Sequence, residues 1–254
     1  MKDPSAILIT GASSGIGAAL AREYAAPGVA LSLSGRNAGR LGEIAAACRT
    51  AGATVDSRIV DVTDRDAVRG WIEDMDALAP LDLVIANAGI SGGTGGAGGE
   101  DEDAARRIFA VNVDGVMNTV LPAIAPMGAR GRGQVALMSS LAGFRGMPGA
   151  PAYSASKAAV RAWGEALRGA VAGDGIEVSV ICPGYIETPM TATNSYPMPL
   201  LMTAARAARI IRRGLARNRG RIAFPLPLYL VMWLIGAAPP GITDPLMRRL
   251  PKKV

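Results

Sequence analysis

The chain has 254 residues, half of them apolar, with 27 Lys+Arg against 21 Asp+Glu for a net charge of +6. It contains no histidine and only two cysteines, Cys48 and Cys182, which excludes histidine-based catalysis and an ordinary His/Cys zinc site, so no metal is expected. The basic excess comes with no nucleic-acid recognition motif and no aromatic-interleaved basic stretch, which points to an anionic cofactor, anionic lipid or plain solubility instead.

That length fits one large α/β domain over 1–254. Two cysteines make no disulfide framework, and Met1-Lys-Asp-Pro-Ser5 has no signal-peptide h-region. A reduced, cytoplasmic setting is expected.

Ala6–Thr10 is a short apolar run ending in a glycine turn, the pattern of a buried parallel strand. Residues 15–26 follow as a helix with Ile16, Leu20 and Tyr24 on one face. Val29–Ser34 predicts a strand, Arg40–Ala51 a helix, Val55–Val60 a strand and the stretch from Thr63 a helix. Leu81–Ala86 is a fourth strand ending in Asn87-Ala-Gly89, and the glycine-rich Ile90–Gly99 reads as a mobile loop. Glu100-Asp-Glu-Asp103 places acids at a helix start, where the macrodipole favours them; that helix runs through Asn112 to about Met127. Gln134–Ser139 is a strand, Tyr153–Gly173 a long helix and Glu177–Cys182 a sixth strand. Regular alternation predicts a single-domain, doubly wound Rossmann-type parallel sheet of about six or seven strands with helices on both faces.

The turn Thr10-Gly-Ala-Ser-Ser-Gly-Ile-Gly17 joins the first strand to the first helix. Gly11, Gly15 and Gly17 let the backbone approach a pyrophosphate at the helix N-terminus, with Ser13, Ser14 and Ile16 supplying the rest of the cradle. The acid that grips an adenosine ribose, expected about 20 residues on, is absent between Glu23 and Glu43, and the second strand ends in Ser34-Gly-Arg36-Asn37. A guanidinium at Arg36 suits a 2′-phosphate, so NADP(H) is favoured over NAD(H).

Lys157 is the only lysine between Lys2 and Lys252, and it stands four residues after Tyr153. On a helix such a pair shares one face. At an effective dielectric of about 20, charges about 4 Å apart interact by about 4 kcal/mol, enough to bring a phenol well below its usual value of about 10. Tyr153 is then expected to exchange protons near neutral pH.

Thr10–Gly17, Asp61, Asn87-Ala-Gly89, Asn112, Ser140, Tyr153-x-x-x-Lys157 and Pro183-Gly184 with Thr188 together resemble the short-chain dehydrogenase/reductase family in order and spacing, over roughly residues 5–190. The resemblance implies a catalytic set of Asn112, Ser140, Tyr153 and Lys157. Ser140, rather than its neighbour Ser139, would hold the substrate oxygen. Tyr153 would be the proton donor or acceptor, Lys157 would also hold the nicotinamide ribose, and Asn112 would bend its helix and hold a water in the proton relay. It further implies that Asp61 and Val62 sit at the adenine and that Asn87 and Gly89 lie along the adenine ribose. Pro183, Gly184, Ile186 and Thr188 would present the nicotinamide. The implied activity is interconversion of a ketone or aldehyde and an alcohol; a catalytically weak NADP(H)-binding sensor is the alternative. A sugar-nucleotide epimerase or dehydratase is disfavoured by the short region after Thr188.

Residues 189–221 are expected to form a substrate loop, or lid, and a helix. The loop is apolar and methionine-containing, so Leu141, Phe144, Met147, Met190 and Met198 are expected to line an adaptable pocket for a lipophilic substrate. Residues 222–254 depart from the family as an apolar and basic extension: Ile222–Ala238 is 17 residues interrupted by Pro225 and Pro227, too short to span a bilayer well. Tyr229, Trp233 and the basic flanks suit an interfacial helix and peripheral membrane contact; packing on a second subunit is the other reading. The expected assembly is a homodimer, with a tetramer left open.

Overall fold

The computed structural model describes residues 3–92 and 100–248. The runs of apolar residues predicted as strands lie side by side because each has two faces to bury. In β1 (Ala6–Ile9), Ile7 and Ile9 point into one helical layer and Leu8 into the other, all without solvent exposure. The same alternation recurs in β4 (Leu83–Ala86) and β5 (Gly133–Met138), as the period of two requires.

Together with β2 (Ala30–Ser34), β3 (Thr54–Arg58), β6 (Ile176–Pro183) and β9 (Arg221–Phe224), these form a seven-stranded parallel sheet in the order β3-β2-β1-β4-β5-β6-β9. Strand order reverses between β1 and β4, which opens a crevice beyond their C-terminal ends. One face is covered by α1 (Gly15–Tyr24), α2 (Ala38–Thr50) and α8 (Ala204–Ala216). The other is covered by α3 (Arg65–Leu78), α5 (Gly115–Ala129) and α6 (Pro151–Ala170), around Trp71, Ile72, Val120 and Met127.

Most boundaries agree with the sequence reading to within two residues. The helix predicted through Asn112 is broken into α4 (Glu102–Phe109), a π-helical turn at Ala110–Asp114, and α5. Most of the glycine-rich loop expected at Ile90–Gly99 lies outside the described residues. Residues 189–221 hold a short helix α7 (Pro189–Ala192) and α8; between them β8 (Met202–Thr203) pairs with β7 (Ile186–Glu187) in a separate two-stranded sheet.

The expected extension from residue 222 needs correction at its start. Ile222 and Phe224 are buried, and Arg221–Phe224 pairs in parallel register with Val180–Pro183. The apolar segment thus begins as the last strand of the sheet. Only from Pro225 does the chain leave it, as α9 (Leu226–Ala237) and α10 (Pro240–Met247).

Candidate active site

The turn after β1 is shaped by close backbone approach. Gly11 adopts φ +68°, and a Cβ there would lie 2.8 Å from Ala88 Cα; a Cβ on Gly17 would lie 2.5 Å from Asn87 Nδ2. Asn87 Nδ2 donates to Thr10 O at 2.9 Å and Gly11 O at 3.3 Å, so its amide braces the turn from β4. Ser14, the N-cap of α1, makes no side-chain capping bond. The first amides of α1 therefore remain available to an anion.

These residues open onto a cleft of about 560 Å³ at the crevice. Gly11, Ser13, Ser14, Gly15, Ile16, Arg36, Asp61, Val62, Asn87, Gly89, Pro183, Gly184, Ile186 and Thr188 all line it, as do Ser140, Tyr153 and Lys157. Gly17 sits beneath the turn, and Asn112 is fully buried behind Gly89. The glycine cradle, the uncapped helix start and the cleft's size fit a dinucleotide. At the far end Arg36 is close enough to help hold the Asp61 carboxyl below its ordinary range, after the larger effect of the Thr63 amide bonded to Asp61 Oδ1 at 2.9 Å. Arg40, on the same wall, was not singled out from sequence.

The π-turn presents Asn112 inward. Its Oδ1 accepts from Ile90 N at 2.8 Å, and its Nδ2 donates to Ile90 O and to Ser156 Oγ, both at 3.0 Å. Both amide hydrogens are thus committed to protein atoms. Asn112 sits in the π-turn and staples the segment after Gly89 to α6. Ser139 and Ser140 both line the cleft and differ in their bonds: Ser139 Oγ donates to Lys157 O at 2.7 Å, a packing bond, whereas Ser140 Oγ accepts from Ala142 N at 3.1 Å and donates to Pro183 O at 3.4 Å.

Tyr153 and Lys157 project from one side of α6, with Lys157 Nζ 5.8 Å from the Tyr153 ring centroid and donating to Met138 O at 2.9 Å. The expected electrostatics are not realised within the chain. Burial holds the Tyr153 phenol above its ordinary value; the Ser140 hydroxyl opposes this and Tyr196 adds to it. Burial also pulls Lys157 down to about 8. Desolvation disfavours both charged forms, and at this separation the ammonium does not offset it.

Beyond Tyr153 lies a second, apolar cavity of about 170 Å³. Leu141, Met147 and Met190 line it as predicted, but Phe144 and Met198 do not. After the 3-10 turn at Leu141–Gly143 the Phe144 ring turns away, edge-on to Tyr229 at 5.4 Å and flanked by the Arg161 and Arg221 guanidinia at 4.7 and 5.3 Å. Met198 stands one layer back, its Sδ 3.4 Å from the Nδ2 of the lining residue Asn194. Tyr185, Tyr196, Leu228 and Met232 also line it and were missed. Their only signal in the sequence was apolar character near a predicted loop.

Residues 5–198 match the family profile of the short chain dehydrogenases. An uncharacterized oxidoreductase of Myxococcus xanthus (strain DK1622) is 39% identical over 244 residues, which is 96% of each chain. A short-chain dehydrogenase from Sphingobium yanoikuyae in complex with NADPH superposes with a TM-score of 0.80 at 25% identity, over 98% of this chain and 97% of that one. A Burkholderia phymatum short-chain dehydrogenase/reductase in complex with NAD shares the fold, with a TM-score of 0.83 at 23% identity over 98% and 97% of the two chains. The chain belongs to the short-chain dehydrogenase family and has the family's oxidoreductase fold.

Proposed function

We propose that this short-chain dehydrogenase is an NADP(H)-dependent oxidoreductase that interconverts a lipophilic ketone or aldehyde and its alcohol. The observation that carries this reading is the meeting of the two cavities. Ser140 and Tyr153 belong to both walls, between a large cleft with a phosphate-binding turn and a small apolar chamber. A carbonyl at that junction has its oxygen within reach of two hydroxyls and its substituents in the chamber. Arg36, with no competing acid between Glu23 and Glu43, supports preference for the 2′-phosphate.

A nicotinamide cofactor held in the cleft would supply the hydride to the carbonyl carbon or take it from the alcohol carbon. Ser140 holds the substrate oxygen by its hydroxyl, and Tyr153 donates its phenol proton to that oxygen as the new C–H bond forms. The raised Tyr153 pKa keeps the phenol protonated, the form that donates a proton during reduction. Lys157 and Asn112 fix the helix that carries Tyr153, and Lys157 lines the cleft beside it. Among the described residues no carboxylate-binding cation lines the apolar chamber, which supports an uncharged substrate. We place the enzyme in the cytoplasm as a homodimer.

The test is oxidation of NADPH and of NADH with a panel of hydrophobic ketones. Turnover that prefers NADPH and is abolished in Tyr153→Phe is the expected result. Binding of NADPH with no turnover of any ketone would favour the sensor reading.

A further inference from the structure

α9 is apolar all round, yet only one stripe of it is covered. Leu228, Tyr229 and Met232 lie at helical spacing against the body of the protein, and Ile235 is half-buried. Gly236 sits so close to the Phe144 carbonyl that a Cβ would collide with it. The opposite stripe holds Leu226, Leu230, Val231, Trp233 and Leu234, each between 46 and 62% exposed. α10 also exposes Ile242 and Leu246. A helix apolar on every side belongs in a nonpolar surrounding, and contiguous exposed apolar surface marks an interaction site.

Charge identifies the occupant. No charged residue occurs from Ile222 to Thr243. After Glu187 the chain has eleven basic residues and one acid, Asp244, which is paired with Arg145 at 2.7 Å. The chain up to Glu187 has more acids than bases, so the net positive charge arises from the segment of sequence that carries this patch. Arg217 and Arg219 precede it as exposed side chains, and Arg248 follows it. A second copy docking on the same patch would bring like charges together, which disfavours it. An anionic bilayer surface satisfies both the apolar stripe and its basic borders. Twelve residues extend about 18 Å, well short of a bilayer core of about 30 Å, so the helix lies in the interface plane.

We propose that the outer face of α9 and α10 docks the enzyme onto anionic lipid. The inner face of the same helix supplies Leu228 and Met232 to the apolar chamber, so docking sets the chamber wall against the lipid phase. The docking itself does not depend on the proposed substrate.

The test is flotation of the intact chain with vesicles of phosphatidylcholine alone and of equal phosphatidylcholine and phosphatidylglycerol. Expected is binding to the anionic vesicles, weakened by raising salt from about 0.1 to 0.5 M and lowered about tenfold in Leu230→Glu/Leu234→Glu. Circular dichroism and NADPH binding are read alongside to confirm that this variant is folded. Trp233 fluorescence should shift to the blue with anionic vesicles. Absence of wild-type binding, or equal binding by the folded double variant, overturns the proposal. So does a wild-type dimer that the double variant converts to monomer without any vesicle binding, since the face is then a contact between copies.

Discussion

Asn112 Nδ2 donates to Ser156 Oγ at 3.0 Å, and that hydroxyl donates in turn to the Tyr153 carbonyl at 2.8 Å. The π-turn thereby reaches the backbone of the tyrosine through one fully buried serine. Ser156→Ala leaves an amide hydrogen of Asn112 unpaired in the core, at a cost of about 1–3 kcal/mol. The expected outcome is a melting temperature lowered by at least about 2–4 °C and a kcat reduced about fivefold, with KM for NADPH little changed. Thermal unfolding and steady-state kinetics measure both. A stable variant with full kcat would separate Asn112 from the tyrosine.

Tyr153→Phe removes the proton donor and keeps the ring. Loss of about 10²–10⁴-fold in carbonyl reduction is expected, with NADPH affinity, read by fluorescence titration, nearly unchanged. Because burial raises the phenol pKa, the wild-type reduction rate should hold through neutral pH and fall only on the alkaline side. Alcohol oxidation should rise over the same range. An acid-side optimum for oxidation would contradict this assignment.

Arg36→Ala tests cofactor choice. Losing a charge-assisted contact to a 2′-phosphate costs about 1.5–3 kcal/mol, about 10- to 150-fold in KM for NADPH. NADH, which lacks that phosphate, should be used as before. Equal losses with both cofactors would assign Arg36 to packing against the adenine instead.

Lys157 makes stability depend on pH in a definite sense. Its pKa is held at about 8 in the folded chain against an ordinary 10.5. Between these values the unfolded chain binds the extra proton, so stability rises as pH rises through that window. Comparison with Lys157→Met isolates the effect from buried Cys182, whose thiol is pushed up to about 12 and acts in the opposite sense above pH 9. From pH 7 to 9.5, the stability of wild type should gain about 2 kcal/mol on the variant. Urea unfolding without added cofactor measures it, and parallel pH profiles would refute a buried, destabilised ammonium.

The larger cleft was readable because its residues sit in local motifs with backbone consequences: glycines at a strand–helix turn, an asparagine after β4, a tyrosine and lysine one helical turn apart. The electrostatics were not, since spacing gives proximity but not burial, and burial decided both pKa values. The last strand was hidden because Arg221–Phe224 is four residues long and runs directly into Pro225, so its apolar residues read as part of the following segment. The chamber wall depends on how α9 folds back, which no local pattern encodes. Glu165, Arg221 and Tyr229 show why: Arg221 Nε bonds Glu165 at 2.9 Å and its Nη1 bonds the Tyr229 hydroxyl at 3.1 Å, tying β9, α6 and α9 across 64 residues of sequence.

That fold-back makes α9 a determinant of substrate size. Met232 lines the chamber together with Ser140 and Tyr153, and one helical turn from it Leu228 lines the same wall. Met232→Trp narrows a cavity of only about 170 Å³, whereas Leu228→Ala enlarges it. Removing or blocking room for one to two methylenes changes transition-state binding by about 1–3 kcal/mol, or 10- to 200-fold in kcat/KM. The tryptophan variant should therefore lose bulky ketones while keeping small ones, and the alanine variant should shift the other way. Because both side chains lie away from the phosphate-binding turn, KM for NADPH should stay constant in each. If both variants instead scale every ketone by one common factor, the chamber is not where substrate substituents lie, and the carbonyl must approach Tyr153 from another side.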